Sequence, residues 1–176
     1  MSKPFFLDEQ GHVKMLRYST LEMCAKQWLG TPFVAHSAVM GAGVDCVHLA
    51  AQLYMVAGCL EDFHPPPYSL DGGHHRQISL VLEWLDGSRQ FERLFGRRVG
   101  PAMTRNERAE VLRPGDCLCF KMSLSSHHVG VLLADRRIIH APCRRPVEMT
   151  TLSDGLYERC LFAAYRPLEP GVEVPA

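Results

Sequence analysis

Two spacings of apolar residues are segregated along this 176-residue chain, and that segregation limits the fold more than any single residue does. Up to Gly58 the apolar positions recur every three or four residues. Leu21, Cys24, Ala25, Trp28 and Leu29 make one helical stripe, and Cys46, Leu49, Ala50, Leu53 and Ala57 make a second. Beyond Leu112 the pattern becomes short apolar or β-branched runs between polar breaks: Cys117 to Lys121, His128 to Leu133, Arg137 to His140 and Cys160 to Tyr165. Short consecutive strands with short loops predict an antiparallel sheet. Helices first and sheet second make the expected class α+β.

The stretch between, Cys59 to Leu112, is less patterned. Pro65-Pro66-Pro67 forbids regular helix and favours an extended segment. Asp71-Gly72-Gly73 reads as a turn, Ile78 to Leu85 as an amphipathic helix, and Arg97 to Arg113 as a strand plus a loop. Nothing repeats and no boundary divides the chain, so one domain over 1–176 is expected.

Helix-end signals refine the first zone. Ser19-Thr20-Leu21-Glu22 fits a capping box that starts the first helix at Ser19, and Gly30 stops that helix. The second helix is expected to begin near Asp45, directly after a loop containing Gly41 and Gly43, and to end at Gly58. Cys46 then sits in a first helical turn, where unpaired amides and the helix dipole favour a thiolate.

Composition excludes several classes. Lys plus Arg and Asp plus Glu are equal at 19 each, so no basic excess suggests nucleic acid as a partner. Seven cysteines cannot all pair with one another and are scattered through apolar stretches, which suggests a reducing compartment and mostly free thiols. Met1 to Gln10 lacks a basic segment followed by an apolar run, so no secretory signal is expected and the chain is taken as cytoplasmic when synthesised. No stretch approaches the roughly 18 apolar residues of a membrane span.

A cysteine nucleophile needs a base within hydrogen-bond reach and an orienting partner for that base. His128 and His140, on neighbouring strands, are the candidates. Register decides whether they cooperate. If Ala134, Asp135 and Arg136 form a three-residue loop, Leu133 pairs with Arg137 and Gly130 sits opposite His140. His128 then lies diagonally from His140 on the same face, whereas a two-residue loop puts the rings on opposite faces. In the first arrangement His128 takes the Cys46 proton and His140 holds the ring. The thiolate forms an acyl-enzyme that water releases, and the Cys46 amide is a natural oxyanion donor. This acyl transfer from an amide requires no metal or organic cofactor. The Cys/His group His127, His128, His140 and Cys143 lacks the paired spacing of structural zinc, and Cys117-Leu118-Cys119 has one residue between its thiols.

Taken together, Trp28-Leu29-Gly30-Thr31-Pro32-Phe33, Gly43-Val44-Asp45-Cys46, Arg113-Pro114-Gly115-Asp116, His128-Val129-Gly130-Val131 and Ile138-Ile139-His140-Ala141 resemble the NlpC-type cell-wall cysteine peptidases. The resemblance spans roughly residues 20 to 166 and implies a papain-like fold, with the cysteine on a helix packed against the sheet. It implies cleavage of peptide bonds in peptidoglycan stems, with Cys46 as nucleophile, His128 as base and His140 as third polar residue. Pro65 to Arg76 is similar to the phage-associated branch, which suggests action at the cell wall through a phage-type particle or lysis.

Phe33 and Asp45, and His36 in the loop before the helix, are the expected substrate-contacting residues. Two positions depart from the family. Phe33 stands where a tyrosine hydroxyl often helps hold the oxyanion, and Val47-His48 follows the cysteine where Ser-Gly is common. Arg136, Arg137, Arg144 and Arg145 are available to attract carboxylates or to form a solvated rim. His74 and His75 read as solvated. The rival readings are the same thiol chemistry on another amide or acyl substrate, and a non-catalytic structural component of a phage-type assembly.

Overall fold

The computed structural model of the chain describes residues 15–60, 80–96, 103–122, 127–153 and 155–168. Pro65-Pro66-Pro67, Asp71-Gly72-Gly73, His74 and His75 lie outside the described residues. Helix α1 (Met15–Trp28) is followed by a two-stranded hairpin, β1 (Ala38–Val39) and β2 (Gly43–Val44), and by helix α2 (Cys46–Val56). Helix α3 (Leu80–Gly87), strand β3 (Phe91–Phe95) and helix α4 (Arg105–Val111) follow. The remaining elements are β4 (Cys117–Lys121), β5 (His127–Leu132), β6 (Arg137–His140), β7 (Glu148–Thr151), α5 (Gly155–Cys160) and β8 (Leu161–Pro167). Six strands form one sheet in the order β3-β8-β4-β5-β6-β7. Each of its pairings is antiparallel.

The pleat splits the core in two. Cys117, Cys119, Val129, Val131, Ile139, Ala163 and Tyr165 face one cluster with α1, α2 and Leu85. Leu118, Phe120, Leu132, Ile138, Leu161 and Ala164 face the other, with Leu152 and Tyr157. Because successive side chains alternate, every residue of β5 and β6 is committed to one layer or the other.

Helix α2 is the pillar of the first layer. Asp45 caps its start and a Schellman motif closes its end, with Gly58 at φ +70° and bonds from Gly58 N–H to Met55 and from Cys59 N–H to Tyr54. Tyr54 is fully buried, and its hydroxyl donates to Gly115 O at 3.0 Å, which ties the helix to the turn that opens β4.

Two helix ends differ from the sequence reading. Helix α1 is already helical at Met15, so Ser19 is interior and not an N-cap; Met15, Leu16 and Arg17 are good helix formers and extend the helix upstream. The described capping box is at Thr104, where Glu107 N–H donates to Thr104 Oγ1 and Thr104 N–H donates to Glu107 Oε2. The segment expected as strand plus loop therefore contains helix α4. Strands β3 and β7 were also not anticipated, since both are short and carry charged residues.

Candidate active site

Three elements converge on the first half of β5: the first residue of α2, the end of β6 and the start of β7. The β5–β6 register pairs Gly130 with His140, Val131 with Ile139 and Leu132 with Ile138. Leu133 N–H donates to Arg137 O at 2.7 Å, closing a three-residue 3-10 turn over Ala134–Arg136. This is the longer loop. Without a glycine, the turn places Asp135 and Arg136 at positive φ (55° and 56°), a conformation that costs on the order of a kcal/mol or more per residue. Gly130 is needed where it stands, because a Cβ there would lie 2.7 Å from Ile138 Cγ2 and 3.3 Å from His140 Cβ.

That register puts His128 and His140 on one face. Nε2 of His128 is 2.8 Å from Nδ1 of His140, and the ring centroids are 5.0 Å apart. Tyr157 of α5 stands edge-on to His140 with centroids 4.9 Å apart. Both imidazoles are buried. Desolvation lowers His128 to about 3, with the neighbouring His140 charge adding to it. Desolvation, then the Arg145 charge, lowers His140 to about 4. Both rings are neutral at pH 7.

By the pleat, this face is the α5 face, not the α2 face. Val129 points toward α2, while His128 points toward the layer of Phe120 and Tyr157. Cys46 belongs to the α2 side, where it packs against the first cluster. Its link to β5 is made by the backbone, not by a side chain of either layer. The β5–β6 ladder ends at the Gly130–His140 pair, so the Val129 amide lies one residue past it. The Cys46 thiol takes a hydrogen bond from that amide, one peptide from the His128 side chain.

The thiol itself differs from expectation. Burial pushes Cys46 up to about 12, although part of the residue reaches solvent. Hydrogen bonds from the Val129, Cys46 and Val47 amides work the other way, and the Asp45 charge adds to the rise. Desolvation outweighs the helix-start amides, so the resting group is a neutral thiol and not a preformed thiolate.

Asp45 is buried and fully engaged. Its Oδ1 accepts from Val47 N–H at 3.1 Å and His48 N–H at 2.9 Å, and its Oδ2 accepts from His36 N–H at 2.6 Å. The His48 ring nitrogen Nδ1 is 2.9 Å from both oxygens. Asp45 thus fixes the loop at His36 to the helix start. His36 adopts φ +56° at the exposed surface, with its ring 6.5 Å from that of His48. Phe33 is half-buried, bridges to Val44 and packs on the first core cluster. Of the arginine group, Arg137 pairs with Glu22 of α1 at 2.6 Å and Arg145 with Glu148 of β7 at 2.7 Å, so these two carry structural contacts.

Sequence reasoning passed over Tyr157 and Glu148, which flank the imidazoles. Met149-Thr150-Thr151 after Pro146 carried a β signal that would have placed Glu148 on a strand next to β6. Nothing in the sequence marked Tyr157.

No family model matches the sequence, and no curated protein matches it. Solved structures do match in fold. A crystal structure of an NlpC/P60 family protein from Bacillus cereus ATCC 10987 aligns with a TM-score of 0.53 at 23% identity, over 86% of this chain and 40% of that one. A protein similar to lipoprotein, NLP/P60 family, from Staphylococcus aureus subsp. aureus Mu50 aligns with a TM-score of 0.54 at 17% identity, over 96% of this chain and 45% of that one. This chain therefore spans less than half the length of either. The α+β, papain-like fold of NlpC/P60 proteins is the fold of this chain.

Proposed function

We propose that this chain is an NlpC-type cysteine peptidase or amidase that hydrolyses amide bonds in peptidoglycan-type peptides, with Cys46, His128 and His140 as its catalytic residues. The observation that carries this reading is the 2.8 Å His128–His140 bond one peptide away from the amide that holds the Cys46 thiol. The shared fold supports it.

With both groups neutral at rest, His128 acts as a general base. It removes the thiol proton as sulfur attacks the carbonyl carbon, so that no isolated thiolate is ever buried. Asp45 takes the amides of Val47 and His48, and Leu49 N–H goes to Asp45 O. The Cys46 N–H, left out of this cap, is the donor for the tetrahedral oxyanion in place of a tyrosine at Phe33. Collapse breaks the C–N bond, and the amine leaves with the proton carried by His128. Water, losing a proton to the same ring, then attacks the thioester, and the acid departs as the thiol is restored.

Phe33, Asp45 and His36 frame the approach to the thiol, with Asp45 acting through the loop it holds. The finer placement in the phage-associated branch rests on Pro65 to Arg76, outside the described residues. A cell-wall site of action reached from the cytoplasm belongs to the same proposal.

The test is incubation of peptidoglycan fragments with the chain, read by mass spectrometry. The wild type releases new amine and acid termini, and Cys46→Ala releases none while keeping its circular dichroism spectrum. Equal turnover by that variant rules the mechanism out. Two observations favour a second reading, a non-catalytic member of a phage-type assembly: the raised thiol and the missing hydroxyl at Phe33. In that case neither protein releases products. The same thiol chemistry on another amide or acyl substrate is recognised by turnover of a model thioester without turnover of wall fragments.

A further inference from the structure

Nε2 of His140 is a buried nitrogen that has no hydrogen-bond partner among the described residues. Strand pairing sets His140 directly opposite Glu148, whose Oε1 stands 3.7 Å from that nitrogen. We propose that Glu148 is a positioning residue that fixes which nitrogen of each imidazole carries the proton, and so leaves His128 with a free lone pair on Nδ1. This rests on the reading of His128 as the base.

The proton positions follow from counting. Two neutral rings share the 2.8 Å bond between His128 Nε2 and His140 Nδ1, so one of these atoms donates and the other accepts. If His140 Nδ1 donates, His140 Nε2 is a bare lone pair facing a carboxylate, and His128 carries its proton on Nδ1, where it cannot take another. If His128 Nε2 donates, His140 carries its proton on Nε2, aimed at Glu148, and His128 Nδ1 is open. Burial removes water as the alternative acceptor for Nε2, so the carboxylate decides between the two. Arg145 completes the device. Its Nη2 is 2.7 Å from Glu148 Oε2, so the carboxylate is charge-balanced. It directs the single proton of His140 without drawing a second one onto the ring.

The same pairing explains why the carboxylate can be so near. Val147 N–H donates to Thr31 O at 2.8 Å, and Gly30 N–H donates to Val147 O at 2.9 Å. The start of β7 is thus pinned to the end of α1, one residue before Glu148.

Long-range 1H–15N correlation spectra of the 15N-labelled full chain at pH 7 report the tautomer of each ring, with His128 and His140 assigned by single replacements. The expected result is protonation on Nε2 for both rings in the wild type, and a shift of His140 to protonation on Nδ1 in Glu148→Leu and Glu148→Ala. Protonation of His140 on Nδ1 in the wild type overturns the proposal, as does retention of the wild-type tautomer in either folded variant. The spectra need no substrate, so a chain without hydrolase activity fails the functional reading alone.

Discussion

His128 and His140 touch through a 2.8 Å nitrogen–nitrogen bond although they are not cross-strand partners, because the residue opposite His140 is Gly130. The bond is diagonal and depends on a register that a single residue of loop length would undo. Its loss has a defined cost. In His140→Ala, His128 Nε2 is left buried and unpaired, which destabilises by about 1–3 kcal/mol before any cavity cost. Under the proposed mechanism kcat falls roughly 10²–10⁴-fold as the base loses its orientation. Urea titration and turnover of wall fragments measure the two effects separately.

Gly130→Ala tests the register. The added Cβ meets Ile138 Cγ2 at 2.7 Å in a packed layer, so β6 must shift. A loss of about 1–3 kcal/mol is expected, the usual range for overpacking, together with weakened His128–His140 contact seen as altered ring resonances. A variant as stable as wild type with unchanged rings contradicts the packing described here.

Acid should weaken the fold in a specific window. The folded pKa values of His128 and His140 lie at about 3 and about 4, below the ordinary histidine value of about 6.5. Between those limits the unfolded chain binds more protons than the folded one, so stability is intact above pH 6.5 and falls as pH drops toward 4. The combined loss is on the order of a few kcal/mol. The slope of stability against pH over this window should be smaller in His140→Gln.

Asp45 holds two helix amides and the His36 amide at once. Asp45→Ala should cost at least about 1–2 kcal/mol, the upper part of the N-cap range, and hydrogen exchange at His36 and Val47 should quicken. Unaltered exchange at His36 would mean that the carboxylate does not anchor the loop.

A thiol raised to about 12 alkylates slowly at neutral pH. Cys143 is exposed, so in wild type it reacts before Cys46. In a Cys143→Ser background, iodoacetamide labelling of Cys46 should climb steeply above pH 9 and show no plateau near neutrality. A fast, pH-independent phase at pH 6–8 would reveal a resting thiolate and overturn the description of Cys46 as a neutral thiol.

Much of this arrangement is legible in local patterns. The stripe from Cys46 to Ala57 and the stop at Gly58 are visible because a buried helix needs a 3.6-residue repeat and its end needs a left-handed residue. The contact between the imidazoles was readable as a conditional statement about loop length. Helix α4 was missed although Thr104 and Glu107 mark its start, because a helix with no buried residue has no apolar stripe to detect.

By itself, then, the sequence determined the helix that starts near Asp45 and stops at Gly58, the four strands that carry the centre of the sheet, and the candidacy of Cys46, His128 and His140, since each is written in neighbours a few residues away. Tertiary structure alone decided that the imidazoles face the α5 layer while the thiol comes from the α2 layer. It also decided that the thiol is held by the Val129 amide past the end of the β5–β6 ladder and that burial pushes its pKa up. The reason is physical: desolvation and layer assignment depend on atoms distant in the chain, and burial here outweighs the local field of the helix start.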